Sequence, residues 1–168
     1  MRVDWVAIHE SSHAVVGERL GQPVRAITCV PGPGYGGYVS YAAYATGRAD
    51  ASGFRKLRLR LRAEGISALA GACGQARFTH EPVREILQRC TGDLRDARRC
   101  ATAFALSLPT WTVDTRREVF DSWLDETKDL VFSNWAVIMA LAKVLSLNGT
   151  LAACDVARII ALADRQAA

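Results

Sequence analysis

Apolar and polar residues alternate with a helical period near the start of the chain. Asp4 is a suitable N-cap, and Gly21-Gln22-Pro23 would end a helix that reaches about Leu20. Between them, residues at three- and four-residue spacing form one stripe: Val6, His9, His13, Val16 and Leu20. We therefore predict an amphipathic first helix that carries two histidines on one face.

A β-branched, apolar segment follows this helix. Residues 24–30 and 38–41 each have the composition of a strand, and the glycine- and proline-rich residues 31–37 lie between them. The sequence predicts a short antiparallel β-hairpin here.

The remaining residues favour helices. Leucine and arginine alternate over residues 57–62, which alone is typical of a strand, but the length of the segment 51–78 favours a helix. Further helices are predicted over residues 82–90, 94–107, 115–147 with a bend near Ser133-Asn134, and 152–163. The predicted fold class is mainly α (α+β). It is one domain over residues 1–168, with a core of residues 1–110 and a C-terminal helical bundle of residues 111–168.

Composition and charge narrow the classes of function. The chain has 168 residues, of which 50% are apolar and 23% are charged, so disorder and collagen-like repeats are excluded. A net charge of +4 is too small to argue for a nucleic-acid partner. We interpret the basic cluster Arg55–Arg62 as a solvated surface whose role the sequence leaves open.

Cysteine usage and hydropathy favour a cytoplasmic location. The five cysteines are scattered without a CxxC pair, which is typical of reduced, buried thiols rather than of a zinc knuckle. The N-terminal residues lack the apolar segment of a secretory signal, and the apolar residues 135–142 are too few to span a membrane. We expect no transmembrane segment.

Residues 9–13 have the sequence HESSH and match the HExxH pattern inside the predicted first helix. Residues four apart lie one turn on along a helix, so His9 and His13 project from one face and suit two corners of a tetrahedral zinc site. Glu10 would lie beside the metal, where a carboxylate can take a proton from zinc-bound water. The alternative is an amphipathic helix with two partly buried histidines.

A zinc site needs a third ligand, and spacing alone leaves it open. His80 is the only other histidine. The candidate carboxylates are Asp50, Glu64, Glu81, Glu85, Asp93 and Asp96. Asp93 follows Gly92 at the start of a predicted helix, where a helix-capping role is the simpler interpretation.

Several segments resemble the zinc peptidase domain of FtsH-type membrane AAA+ proteases. Residues 7–16 are similar to the zinc helix of that family, whose sequence is close to HEAGHAxV. Looser likeness follows in the same order along the chain, at the strand pair, at the LGGRAAE helix, at the TGA-x-NDL segment and at the last helices. The corresponding residues here are 24–38, 69–76, 91–97 and 134–151. The resemblance therefore spans about the whole chain.

The resemblance implies a helical metallopeptidase domain with one Zn²⁺ per chain. It implies His9, His13 and Asp93 as ligands and Glu10 as the catalytic base, with residues 1–110 as the catalytic core. The chain departs from the family at Ser11-Ser12, at Gln75 in place of Glu and at Gly92 in place of Asn. None of these departures touches a ligand or the base.

The expected function is that of a stand-alone, ATP-independent zinc metalloendopeptidase, because the chain has no Gly-Lys-Ser/Thr phosphate loop. The expected substrates are peptides or unfolded or exposed protein segments, bound along Val39, Ser40 and Tyr41 by main-chain hydrogen bonds. A homo-oligomer, or an unfoldase or adaptor partner, is compatible with this expectation. The alternatives are a catalytically silent module that binds a peptide or partner, and a regulator-cleaving HExxH protease of another lineage whose third ligand lies nearer His13.

Overall fold

Helices dominate the computed structural model, which describes residues 3–34, 36–42 and 51–167. These residues form seven helices and three strands, and 75% of the structure is helical. The helices are α1 (Trp5–Arg19), α2 (Ala51–Thr79), α3 (Val83–Arg89), α4 (Thr91–Leu106), α5 (Val113–Ser133), α6 (Trp135–Asn148) and α7 (Ala153–Ala167). The strands are β1 (Val24–Thr28), β2 (Tyr38–Tyr41) and β3 (Thr150–Ala152). The predicted mainly α class with a small antiparallel sheet is confirmed.

The sheet has the strand order β2-β1-β3, with both pairings antiparallel. The predicted β1–β2 hairpin is confirmed, although β1 ends at Thr28 and not at residue 30. Strand β3 was not predicted from the sequence, because three residues are too few to show an alternating pattern. Gly149 adopts a φ of 71° and turns the chain out of α6, which lets Leu151 pair with Ile27 of β1.

Helix α2 contributes glycines at three close approaches to other elements. A Cβ on Gly65 would lie 2.6 Å from Cε3 of Trp123 in α5, and one on Gly74 would lie 2.7 Å from Cβ of Ser12 in α1. A Cβ on Gly71 would lie 2.6 Å from Cδ2 of His9. Since real Cβ contacts are longer than 3 Å, only glycine fits at these positions. The two histidines of α1 can therefore lie directly against the backbone of α2.

Three helix boundaries differ from the prediction by two or more residues, and one of them is the end of α7, which reaches Ala167 and not residue 163. Helix α4 begins at Thr91, so Asp93 lies inside its first turn, and Cys90 alone separates α3 from α4. Helix α5 begins earlier than predicted, at Val113, because Thr112 and Thr115 form a capping box. The predicted bend is found at Asn134, where α5 and α6 meet at 74°.

A membrane-spanning helix is not found among residues 3–34, 36–42 and 51–167. No single helix there combines the required length and apolar character, and only the bent pair of α5 and α6 meets the criterion jointly. The basic cluster Arg55–Arg62 lies on the first turns of α2, as the helical interpretation predicted. Within it, Arg60 pairs with Glu64 at 2.7 Å, and Arg62 pairs with Glu126 of α5.

Candidate metal centre

The two histidines of α1 lie one turn apart and are nearly inaccessible, with 8% of His9 and 7% of His13 exposed. Their Nε2 atoms are 3.1 Å apart, so both rings direct the same nitrogen to one point. This is the geometry that the i, i+4 spacing predicted.

Asp93 reaches the same point from α4. Its Oδ2 lies 3.0 Å from His9 Nε2 and 3.5 Å from His13 Nε2, and 29% of its side chain is exposed. Asp93 lies in the first turn of α4, but the carboxylate contacts the two imidazoles and the structure gives it no capping hydrogen bond. The structure thus brings His9, His13 and Asp93 together.

The other candidate third ligands are placed differently. His80 is exposed just after α2, nine residues beyond Gly71, which corresponds to roughly 13 Å along a helix axis. Glu64 is paired with Arg60, and Glu81 is paired with Arg89. Asp50 lies outside the described residues.

The outward-facing nitrogens of both rings are held by residues of α2. His13 Nδ1 donates to the carbonyl oxygen of Ser67 at 2.6 Å, and His9 Nδ1 lies 3.2 Å from Gln75 Oε1. With Nδ1 as the donor on each ring, the neutral imidazoles present lone pairs at Nε2. Two lone pairs and a carboxylate oxygen then meet within 3.5 Å, an arrangement that requires a proton or a cation between them.

The donor set also fits a metal ion in type and spacing. Tetrahedral zinc with bonds near 2.1 Å places its nitrogen and oxygen ligands about 3.4 Å apart, close to the observed 3.0 to 3.5 Å. Gly71 supplies the room, because any side chain there would occupy the space at both Nε2 atoms. Outer partners that accept a hydrogen bond from Nδ1–H are typical of metal-binding histidines.

Without a cation, a proton links His13 and Asp93. Burial lowers the pKa of His13, but the nearby Asp93 and Glu10 and the Ser67 carbonyl outweigh it and raise the pKa to about 9. Burial raises the pKa of Asp93, but the imidazole of His13 outweighs it and holds that pKa below its ordinary value. The raised pKa of His13 and the lowered pKa of Asp93 describe one ion pair between these two side chains. A divalent cation would replace the proton in this pair.

Glu10 lies beside this cluster and is 6% exposed. Its carboxylate lies against the backbone of Gly37, where a Cβ would be 2.9 Å from Glu10 Oε1. Burial raises the pKa of Glu10, and the two imidazoles partly offset the increase. Glu10 therefore lies between the histidines and the start of β2.

A cleft of about 350 Å³ opens at this place. Its lining includes Glu10, His13, Asp93, Val39 and Tyr41. Strand β2 is an edge of the described sheet. Of the three predicted substrate-binding residues on it, Val39 and Tyr41 line the cleft, whereas Ser40 is not among the lining residues. The Tyr41 hydroxyl donates to the His13 carbonyl at 2.7 Å and lies 2.8 Å from Ser67 Oγ, so this side chain joins α1 to α2.

The two serines inside the HExxH segment fit the packing of α1 on α2. Ser12 Oγ donates to the Ile8 carbonyl at 2.7 Å and occupies the space that Gly74 leaves. Ser11 Oγ is buried without a hydrogen-bond partner in the described part of the chain. Ser12 on α1 thus faces a glycine on α2.

Three residues at this centre were not predicted from the sequence, Ser67, Gly71 and Cys90, and Gln75 was named there only as a departure from the resembled family. Ser67 acts through its backbone, which no residue pattern reveals, whereas the small residues of α2 on the face toward α1 were a usable indication of close packing. All five cysteines are free, but only Cys73 and Cys100 are buried as predicted, and Cys154 is exposed. Cys90 is half-buried, and its thiol lies near the cluster.

Comparisons with known proteins add no relative to this picture. No protein-family model and no curated protein matches the chain.

Proposed function

We propose that the chain is an ATP-independent zinc metalloendopeptidase that hydrolyses peptide bonds in peptides or in unfolded or exposed protein segments. The observation that carries the proposal is the convergence of His9, His13 and Asp93 within 3.5 Å, beside the carboxylate of Glu10. The resemblance of the HExxH helix to FtsH-type peptidases supports the same chemistry.

His9, His13 and Asp93 would hold one Zn²⁺ through Nε2, Nε2 and Oδ2. When bound, Zn²⁺ supplies a Lewis acid that polarises the scissile carbonyl and lowers the pKa of water. Ser67 and Gln75 orient the two rings by accepting hydrogen bonds from Nδ1.

Glu10 serves as the general base and then as the general acid. It accepts the proton of the attacking water as the new C–O bond forms, and it delivers that proton to the leaving nitrogen as the C–N bond breaks. Its position beside the histidines, with its carboxylate against Gly37, directs it toward the cleft where a substrate would lie.

The edge strand β2 would bind the substrate. An extended peptide that adds to a sheet edge is held by main-chain hydrogen bonds, so side-chain selectivity would be broad. The packed interior of a folded protein cannot present such a strand, which favours unfolded or exposed segments as substrates. An unfoldase or adaptor partner and self-association remain predictions.

Two substitutions test the proposal. Glu10→Gln should retain zinc and abolish cleavage of a labelled, unfolded protein, whereas Glu85→Gln, at an exposed position, should leave both unchanged. Asp93→Ala should lower zinc affinity, while His80→Ala should not. Equal cleavage by wild type and Glu10→Gln would refute the assignment of the base.

A second candidate is a catalytically silent module that binds a peptide or partner along β2. It is favoured by the ion pair between His13 and Asp93, which satisfies the cluster without any metal. Metal analysis of protein purified without chelator separates the two candidates, because only the peptidase requires stoichiometric zinc.

A further inference from the structure

Cys90 lies at the rim of the candidate metal centre. One ligand atom from each of His9, Cys90 and Asp93 lies within 4.8 Å of the other two. Cys90 is the single residue between α3 and α4, so the end of α3 and the start of α4 together fix the position of its backbone.

Cys90 does not perform the helix-capping function that its position allows. Cys90 is the N-cap of α4, and its side chain makes no capping hydrogen bond. Serine, threonine and aspartate are preferred at an N-cap, where their oxygen accepts from the N2 or N3 amide. The third helical residue after Cys90 is Asp93, and N-cap and N3 side chains lie on the same side of a helix start. The first turn of α4 therefore presents a thiol and a carboxylate to the same space.

We propose that Cys90 is a fourth metal ligand that competes with water for the open position of the zinc site. This inference rests on the proposed function. Two imidazoles, one carboxylate and one thiolate complete a tetrahedral set, and the thiol releases its proton to solvent as it binds. His9, His13 and Asp93 already have ligand spacing, and Cys90 has its thiol within 4.8 Å of a ligand atom of His9 and of Asp93, so a shift of Cys90 toward these three ligands would complete the set.

The consequence is a latent peptidase. With Cys90 bound, all four positions are filled by protein, which is typical of structural zinc sites. With Cys90 released, water enters the fourth position beside Glu10. The exchange requires only a side-chain rotation and a small shift at the α3–α4 junction, while the other three ligands stay in place.

The test uses Co²⁺ in place of zinc in the full chain, because thiolate ligation to Co²⁺ gives a charge-transfer absorption band in the near ultraviolet. Wild type should show this band together with the intense visible bands of tetrahedral Co²⁺. Cys90→Ser should lose the near-ultraviolet band and keep the visible bands. Serine is a preferred N-cap, so the variant is expected to fold at least as well. Cys154→Ser, which removes an exposed thiol, should leave the spectrum unchanged.

Three results are decisive against the inference. If wild type binds Co²⁺ without the thiolate band, or if Cys90→Ser retains the band, Cys90 is not a ligand and the proposed function stands. If wild type binds no Co²⁺ at all, both proposals fail. In the zinc-loaded protein, a several-fold higher peptidase rate in Cys90→Ser than in wild type would support the latent form.

Discussion

Gly71→Ala is the substitution that most directly tests the candidate metal centre. The change adds one methyl group at a point where α2 touches both imidazoles. Its Cβ would lie 2.6 Å from Cδ2 of His9 and closer still to the Nε2 atoms of His9 and His13.

The size of the effect follows from this contact. Ordinary van der Waals contacts to a Cβ are 3.4 to 4 Å, so the rings or α2 must move by about 1 Å. Overpacking of this kind costs about 1–3 kcal/mol. The atoms in contact are the tips of two side chains, so we expect the rings to move and the cost to stability to lie near the lower end. Zinc bonds tolerate deviations of only about 0.2 Å, and we therefore expect at least a 100-fold loss of zinc affinity.

The matched control is Gly92→Ala on α4, where an added Cβ meets no atom within 4 Å. Alanine in a helix lowers the conformational entropy of the unfolded chain, so this variant should gain about 0.4–1 kcal/mol and bind zinc as wild type does. Competition with a chromogenic chelator measures zinc affinity, and urea denaturation measures the free energy of unfolding. A zinc affinity of Gly71→Ala within threefold of wild type would refute the placement of both rings against α2.

Three further predictions follow from the same contacts. In chelator-treated protein, the protonated His13 stabilises the fold below pH 6.5, and this contribution is lost as the pH rises through about 9. The free energy of unfolding from urea titrations should therefore fall by up to about 3 kcal/mol across that range, and a rise would contradict the ion pair. Gln75→Leu leaves His9 Nδ1 without its acceptor and should weaken zinc binding by about 10- to 100-fold, whereas Gln75→Glu should retain it; both are measured by chelator competition. Tyr41→Phe removes the hydroxyl that contacts the His13 carbonyl and Ser67, and it should lower the free energy of unfolding by about 1 kcal/mol in urea with no loss of bound zinc.

The parts of the fold that were predicted correctly are those with repeated local patterns. Apolar spacing predicted the helix α1, but its expected amphipathic character is wrong, because every residue from Ala7 to Gly17 is buried. The length of the segment 51–78 predicted α2, and the turn-rich connector predicted the β1–β2 hairpin. Strand β3 was missed because its three residues form a strand only by pairing with β1, more than 120 residues earlier in the chain. The start of α4 was misplaced because Gly92 was interpreted as a break, although a helix tolerates glycine in its first turn.

The candidate site likewise has a part that the local sequence predicted and a part that it did not. The spacing of His9 and His13 on one helix predicted their convergence, since local geometry alone decides it. Spacing left the third ligand open, and the family resemblance, not local pattern, singled out Asp93, which the structure places against both rings. The contacts of Gln75 with His9 and of Ser67 with His13 depend on how α2 crosses α1, more than 50 residues away in sequence.

Strand β3 bears on whether the chain can be divided. All the proposed zinc ligands and the proposed base precede residue 110, so a truncation there would retain every one of them. Such a truncation would remove Leu151 from Ile27 and the Gly149 carbonyl from the Cys29 amide, and it would turn β1 into an exposed edge next to β2. Exposed edges of this kind promote aggregation. The C-terminal part of the chain, through β3, therefore completes the sheet of residues 1–110, and we expect the two parts to unfold as one cooperative unit.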